Sequence, residues 1–182
     1  MKIVVGITGA SGAIYAKTLL DLLATTPHEV ALVISENAHQ IAQEELGLSY
    51  THYDKPIFGM RDFAAPFASG SAKWDQMVII PSSMGTIGRV AHGLSDDLLA
   101  RTADVFLKER RKIIFVPRET PWSLIHIENI RLLALAGAVI LPAIPSFYSR
   151  PQNLQEAVNT VASRVLDQMG IENSLMNRYG DR

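Results

Sequence analysis

The stretch "KIVVGITGASGAIYAKTLLDLLA", residues 2–24, predicts a β-strand, a glycine-rich turn and a helix in direct succession. Residues 2–8 are mostly apolar on both faces, which is typical of a central parallel strand covered on two sides. Gly9 and Gly12 allow a positive φ or the close approach of a ligand, and the free N–H groups of the helix point toward the turn. The pattern predicts a site for an anion or for the polar edge of a ring.

The end of the second strand narrows the choice of ligand. The turn does not read G-x-G-x-x-G, and the second strand ends in Ser35 rather than in an acidic residue, so a dinucleotide is disfavoured. The alternative explanation of the same turn is that its glycine and serine only cap the first helix.

The rest of the chain repeats this alternation of strands and helices. Apolar runs of strand length occur at residues 2–8, 29–35, 76–81, 112–117 and 138–143. Segments with helical periodicity occur at about 11–24, 36–46, 84–92, 96–110, 123–136 and 153–169. The order predicts an α/β fold of three layers, with a Rossmann-like or flavodoxin-like parallel sheet between helices. We expect a single domain over residues 1–182, with an extended tail at about 171–182 and a long excursion over one edge of the sheet at 47–75.

Composition excludes several classes of function. The 182 residues include 17 Lys and Arg against 18 Asp and Glu, so nucleic acid is an improbable partner for a surface without a dominant charge. The absence of cysteine excludes disulfides, thiolate nucleophiles and cysteine-ligated metals, and the five histidines show no metal-ligand spacing. No apolar run is long enough for a membrane span and the N-terminal run is too short for a signal peptide, so we expect a cytoplasmic protein.

Two further strand ends carry polar residues, and ligands of open α/β sheets bind at such ends. In "PSSMGT", residues 81–86, hydroxyl groups precede a helix, where they can cap it or help its N–H groups to hold a phosphate. In "VPRETPW", residues 116–122, Arg118 can pair with a phosphate or a flavin carbonyl. A partly desolvated Glu119 would have the raised pKa that proton transfer at neutral pH requires. The alternative is an Arg118–Glu119 ion pair at the surface.

The predicted helix at 96–110 has one narrow charged stripe, which contains Asp97, Arg101, Asp104 and Lys108. The stripe either forms two i,i+4 ion pairs facing water, or places Arg101 and Lys108 two turns apart to straddle a phosphate. In the last helix, Arg164 lies at the boundary of the apolar stripe. It is an ordinary boundary arginine unless Tyr148 points to the same place.

Together these motifs resemble the flavin prenyltransferase family, the UbiX-like proteins. The motifs are "TGASGA", Glu45 ten residues after "VIS", "PFASGS", "PSSMGT", "LLARTADVFLKERRK", "VPRETPWSLIHIENI" and "PAIPSFYSRPQ". The resemblance implies a metal-independent enzyme that joins the dimethylallyl group of dimethylallyl monophosphate to reduced FMN, at N5 and then C6. The product, prenylated FMN, is the cofactor of a UbiD-type decarboxylase. Members of the family assemble as dodecamers with active sites at subunit contacts.

The resemblance also implies roles for particular residues. FMN contacts fall on Gly9, Ala10, Ser11, Ser35, Ser83, Met84, Gly85, Thr86 and Arg118. Prenyl phosphate contacts fall on Ser69, Arg101, Lys108, Tyr148 and Arg164. Glu119, with Ser11 and Glu45, would handle the proton lost during ring closure, and Lys108 would also act in catalysis by stabilising the departing phosphate. Phe63 and Tyr179 stand where the family has another aromatic and a tryptophan, and we expect activity to survive these changes.

Two other functions fit parts of the pattern. An FMN-dependent cysteine decarboxylase shares the fold but uses a catalytic histidine and a "PASANT"-like loop, where this chain reads "PSSMGT". A non-catalytic subunit that carries FMN to a decarboxylase would need only the flavin contacts.

Overall fold

The computed structural model describes residues 1–180, and the last two residues of the predicted tail, 181 and 182, lie outside the described part. The strands are β1 Lys2–Ile7, β2 Glu29–Ile34, β3 Ile57–Phe58, β4 Gln76–Ser82, β5 Lys112–Pro117 and β6 Val139–Ile140. The helices are α1 Ala13–Ala24, α2 Glu36–Leu46, α3 Met84–Ala91, α4 Leu98–Lys108, α5 Leu124–Leu135 and α6 Leu154–Met169. Within the described residues, no helix is long and apolar enough to cross a membrane.

All strands join one parallel sheet in the order β3-β2-β1-β4-β5-β6. This is the Rossmann order, one of the two arrangements that the sequence predicts, and the chain reverses its direction of winding between β1 and β4. In open α/β sheets ligands bind at the carboxyl ends of the two strands that flank this point, and this region is called the crevice below. The segment at 47–75 corrects one expectation, because it contributes the edge strand β3 and a short 3₁₀ turn at Tyr50–His52.

The helices divide between the two faces of the sheet. One core cluster packs α1, α2 and α6 against one face, with buried residues such as Leu19, Ala42 and Val165. The other packs α3, α4 and α5 against the opposite face, with Ile87, Phe106 and Leu133. The sheet thus separates α4 from α6, which matters for the site residues that these two helices carry.

Hydrogen bonds tie the carboxyl ends of the central strands together. The buried Thr8 hydroxyl donates to the Pro81 carbonyl at 2.9 Å and accepts the Ser83 N–H at 2.7 Å. The Arg118 N–H donates to the Ser82 carbonyl at 3.3 Å. The register between β4 and β5 shifts between Ile79 and Ser82, next to a proline that cannot donate to the ladder. This network holds the loops after β1, β4 and β5 in fixed relative positions.

Candidate functional site

The helix end after β1 already holds an anion, which the protein itself supplies. The Glu45 carboxylate accepts hydrogen bonds from the backbone N–H of Gly12 at 2.9 Å and of Ala13 at 2.8 Å. Burial raises the pKa of Glu45, but hydrogen bonds from Ser11 and from the two N–H groups, with the nearby charge of Arg118, lower it below its ordinary value. The first turn of α1 is thus satisfied from within the chain, which the sequence analysis did not anticipate.

Glycine is needed at the two positions of this turn for different structural reasons. Gly12 has a φ of 111°, a left-handed conformation that favours glycine. A Cβ on Gly9 would lie 2.7 Å from the Cβ of Asn37, so packing against α2 requires glycine there. Ser35 accepts the N–H of Ala38 and caps α2 at the neighbouring strand end.

Arg118 joins the loop after β5 to the loop after β1. Its Nε donates to the Ser11 carbonyl at 2.7 Å. Within the described residues it forms no ion pair with Glu119, so the surface pair considered from the sequence is not present. The guanidinium is instead fixed beside the turn that carries Ser11, close to the Glu45 carboxylate of α2.

The start of α3 differs from the start of α1. Ser83 caps the helix by accepting the Thr86 N–H at 3.3 Å, while the N–H groups of Met84 and Gly85 have no acceptor within the helix. A Cβ on Gly85 would meet nothing within 4 Å, so space lies beside this turn. The fully buried Ser82 hydroxyl has no hydrogen-bond partner among the described residues.

These groups fit FMN. The flavin ring and the phosphate are rich in hydrogen-bond acceptors. The start of α3 offers backbone N–H groups and hydroxyls as donors, and the Arg118 guanidinium after β5 offers further donors. The unsatisfied Ser82 hydroxyl and the open space at Gly85 lie on the side where the crevice between β1 and β4 opens.

Glu119 lies at the rim of a separate cavity at the ends of β5 and β6. The cavity has a volume of about 430 Å³, and its lining includes Arg118, Glu119, Trp122 and Ile144. The Glu119 Oε1 accepts the Thr120 N–H at 2.9 Å, and the side chain is exposed. The partial desolvation predicted for Glu119 is therefore wrong for the single chain, because the described residues leave this side chain exposed.

The charged stripe of α4 forms different pairs from those considered. Asp97 precedes the helix, accepts the Ala100 N–H at 2.7 Å as its N-cap, and lies 3.4 Å from Arg89. Arg101 lies 3.5 Å from Asp104, and Lys108 pairs with Glu109. Among the described residues the i,i+4 pairs Asp97–Arg101 and Asp104–Lys108 do not form, because Asp97 is the N-cap and Asp104 and Lys108 each pair with another residue.

The loop of residues 67–71 runs along α4 and brings three of the predicted phosphate contacts together. The Arg101 Nε donates to the Ala68 carbonyl at 3.3 Å. A Cβ on Gly70 would lie 2.6 Å from the Lys108 Nζ, so the ammonium group lies directly against the loop backbone. Ser69, between these two positions, is exposed and its hydroxyl lies 3.0 Å from that of Ser71.

Tyr148 and Arg164 lie elsewhere. Arg164 is on α6, on the opposite face of the sheet from α4, and its Nη1 donates to the Asp167 Oδ2 at 2.9 Å. The ring of Tyr148 contacts that of Tyr179 edge-on, with centroids 5.8 Å apart. Within one chain, the sheet therefore separates Arg164 from Arg101 and Lys108.

Lys108 and Arg118 are also separated along the strand direction. Lys108 lies four residues before Lys112, the first residue of β5, whereas Arg118 directly follows the last residue of that strand. A strand of this length spans about 20 Å. The predicted residues thus form three groups in one chain: the crevice at the carboxyl ends, the α4 face with the 67–71 loop, and the region of Tyr148 and Arg164.

Some contacts of the site were not foreseen from the sequence. Thr8 and Asn37 shape the crevice, and the Arg111 Nη2 donates to the Gly70 carbonyl at 2.6 Å. Phe63 and Tyr179 are exposed. Within residues 1–180, no group of three or more His, Cys, Asp or Glu is placed to hold a metal ion.

The sequence is similar to known proteins over most of its length. The model of the family described as Flavoprotein matches residues 1–166. The flavin prenyltransferase UbiX of Methanocaldococcus jannaschii is 47% identical over 99% of this chain and 99% of its own length.

Solved structures agree with this match. A dodecameric FMN-dependent UbiX-like decarboxylase from Escherichia coli O157:H7 is 40% identical, with a TM-score of 0.94 over 98% of this chain and 99% of that one. AnUbiX (PadA1), in complex with FMN and dimethylallyl pyrophosphate, is 36% identical, with a TM-score of 0.95 over 98% and 97%. The FMN-dependent cysteine decarboxylase SpaF is 18% identical, with a TM-score of 0.62 over 89% and 97%, and this likeness shows the fold alone. The chain therefore belongs to the flavoprotein family and, within it, to the flavin prenyltransferases of the UbiX type.

Proposed function

We propose that this chain is a flavin prenyltransferase that joins the dimethylallyl group of dimethylallyl monophosphate to N5 and C6 of reduced FMN. The observation that carries the proposal is the difference in likeness: 47% identity over nearly the whole length of a flavin prenyltransferase, against 18% for an FMN-dependent cysteine decarboxylase of the same fold. The product would be prenylated FMN, and a UbiD-type decarboxylase would receive it.

The crevice at the carboxyl ends of β1 and β4 would hold FMN. The residues assigned to it are Gly9, Ala10, Ser11, Ser35, Ser83, Met84, Gly85, Thr86 and Arg118. The Ser82 hydroxyl has no partner among residues 1–180 and the first N–H groups of α3 have no acceptor within their helix, and both observations support this assignment. Reduced FMN supplies the nucleophilic N5 and C6 when it is bound.

The α4 group would bind the prenyl phosphate. A monophosphate is a poor leaving group, so the charge that develops on it needs several fixed positive donors. Arg101 and Lys108 provide two, and Ser69 adds a hydroxyl between them. Lys108 pairs with the Glu109 carboxylate, and a dianionic phosphate would compete with this single negative charge for the ammonium group.

Proton transfer falls to Glu119, at the rim of the neighbouring cavity, and to Ser11 and Glu45 at the start of α1. Ring closure releases a proton from C6, and Glu119 would take it as a general base. Ser11 donates to Glu45, and the lowered pKa of Glu45 makes its carboxylate a weak base, so Glu119 is the first candidate for the acceptor. Since the Glu119 side chain is exposed in the single chain, the water-poor surroundings that an allylic cation needs must come from other chains.

Assembly into a homo-oligomer would unite the three groups. Large apolar side chains are exposed, a pattern typical of subunit contacts, and they include Leu124, Ile125, Leu135, Ile144, Phe147 and Leu154. The E. coli relative is described as dodecameric, and we propose a dodecamer here, with Tyr148 and Arg164 of one copy reaching the site of another. The cytoplasmic location expected from the sequence stays a prediction.

A mass measurement tests the function. The protein is incubated anaerobically with reduced FMN and dimethylallyl monophosphate, without added metal, and the released flavin is weighed. We expect a gain of one five-carbon unit. An unchanged flavin that is still bound would favour a carrier subunit, and an enethiol product from a cysteine-terminated peptide would favour a decarboxylase. The same assay with dimethylallyl pyrophosphate compares the two phosphates.

A further inference from the structure

The 67–71 loop, which carries Ser69, is fixed at two backbone carbonyls by two different guanidinium groups. Arg101 donates to the carbonyl of Ala68, on one side of Ser69, at 3.3 Å. Arg111 donates to the carbonyl of Gly70, on the other side, at 2.6 Å. The loop is also anchored by Phe67, which is buried, with its ring centroid 5.1 Å from that of Phe58 and 5.2 Å from that of Trp74.

Arg111 is itself held firmly. Its backbone N–H donates to the Phe106 carbonyl at 2.8 Å, which closes the end of α4, and its guanidinium lies 5.8 Å from the centroid of the Phe106 ring. Its Nη1 is buried and has no hydrogen-bond partner among the described residues. Burying a charged group is costly unless it is hydrogen-bonded, so the bond from Nη2 to the Gly70 carbonyl helps to hold the guanidinium in place.

The same loop presses against Lys108. A Cβ on Gly70 would meet the Glu109 Oε1 first and would lie 2.6 Å from the Lys108 Nζ, so the Gly70 backbone packs against the Lys108–Glu109 pair. The hydrogen bond from Arg111 to the Gly70 carbonyl therefore holds in place the backbone surface against which the Lys108 ammonium group lies, next to Ser69.

We propose that Arg111 is a positioning residue for the prenyl phosphate, which holds Gly70 and thereby sets the geometry of Ser69 and Lys108. The inference rests on the proposed function, because the phosphate is that of the prenyl donor. Arg111 does not contact the phosphate; it acts through the loop. Gly70 takes part by having no side chain.

The first test compares Arg111→Ala and Arg111→Lys with Arg110→Ala. Arg110 is exposed and lines, together with Arg111, a cavity beside the C-terminal end of α4, so its replacement removes one positive charge from the same region without removing the bond to the Gly70 carbonyl. Calorimetry measures the binding of dimethylallyl monophosphate and, separately, of FMN, and kinetics give KM and kcat. We expect Arg111→Ala to weaken prenyl phosphate binding about tenfold or more, as for loss of one charged hydrogen bond, with FMN affinity unchanged. Arg111→Lys should recover part of the loss, and Arg110→Ala should resemble the wild type.

A second pair covers the case in which Arg111→Ala does not fold. Gly70→Ala should displace the Lys108 ammonium group and raise KM for the prenyl phosphate. Gly59→Ala is the matched control, because a Cβ there would meet its nearest atom at 3.5 Å, an ordinary contact. Wild-type binding of prenyl phosphate at Gly70→Ala, or equal losses in Arg110→Ala and Arg111→Lys, would overturn the inference.

The measurements on the wild-type protein distinguish a failure of this inference from a failure of the proposed function. A wild-type protein that binds dimethylallyl monophosphate but leaves FMN unmodified would contradict the function, while the binding data would still decide the role of Arg111. A wild-type protein that prenylates FMN, together with unaltered binding of dimethylallyl monophosphate in Arg111→Ala and Gly70→Ala, would contradict the inference alone.

Discussion

The flavin crevice and the prenyl phosphate residues differ in how far one chain completes them. In the crevice, side chains from distant parts of the sequence meet: Glu45 caps α1, and Arg118 donates to the carbonyl of Ser11. The phosphate residues remain apart, since Lys108 and Arg164 lie on helices that cover opposite faces of the sheet.

With the residue assignments proposed above, the two halves of the site form at different stages. The crevice lies where strands of a single sheet end, so folding alone assembles it. The phosphate half depends on positions that no rotation of side chains can unite, because the sheet lies between them. Flavin binding should therefore survive changes that abolish prenyl transfer.

Lys108→Ala should have the largest effect. Removing a positive donor from the departing phosphate should lower kcat/KM for dimethylallyl monophosphate about a thousandfold. The dissociation constant of FMN, measured by fluorescence, should not change. Lys73→Ala, at an exposed lysine beyond the same loop, is the control, and an equal loss there would remove the reason for singling out Lys108.

Glu119→Gln should come next. The amide cannot accept the proton that ring closure releases, so product formation should slow about a hundredfold. FMN binding should be retained, because the fold of the loop depends on backbone groups and on Trp122 donating to the Glu119 carbonyl. Wild-type turnover in this variant would assign the proton to another group, with Glu45 as the first candidate.

Glu45→Gln should reduce the stability of the folded chain by weakening the contacts at the start of α1. The variant replaces charge-assisted hydrogen bonds at the start of α1 with weaker ones, which should lower the free energy of unfolding by about 1–2 kcal/mol. Urea denaturation measures it. Glu44→Gln, at the exposed neighbouring position, should change stability by less than about 0.5 kcal/mol. Equal effects of the two variants would contradict the capping role.

The free energy of unfolding at acid pH should report the same interaction of Glu45, as a smaller effect. The folded-state pKa of Glu45 lies below its ordinary value of 4.5, so its contribution is present above that value and is lost as pH falls through the folded pKa. The wild type should therefore lose its advantage over Glu45→Gln as the pH is lowered through this range. Parallel curves for the two proteins would contradict the hydrogen bonds to Gly12 and Ala13.

The fold was largely predictable because central parallel strands are continuous apolar runs. The predicted runs at 29–35 and 112–117 differ from the observed strands by at most one residue. β3 was not predicted, since a two-residue edge strand has no periodicity to detect. The Ser83 cap of α3 was foreseen as one alternative, because capping depends only on residues three apart.

The site was less predictable because its contacts span the sequence. Glu45 lies 33 residues from Gly12, and Arg111 lies 41 residues from Gly70, distances over which local patterns carry no information. A helical projection gives the angle of Arg164 around its own axis, but it does not show which face of the sheet the helix covers. The placement of Arg164 across the sheet from Arg101 follows only from topology.

The most direct test of the central claim mixes two inactive variants. Lys108→Ala and Arg164→Ala are unfolded together, refolded as a mixture, and assayed for prenylated FMN. If different copies supply these residues, some mixed sites contain both, and prenyl transfer should return although neither variant has it alone. Mixed oligomers that form and bind FMN but remain inactive would contradict a site assembled from more than one chain.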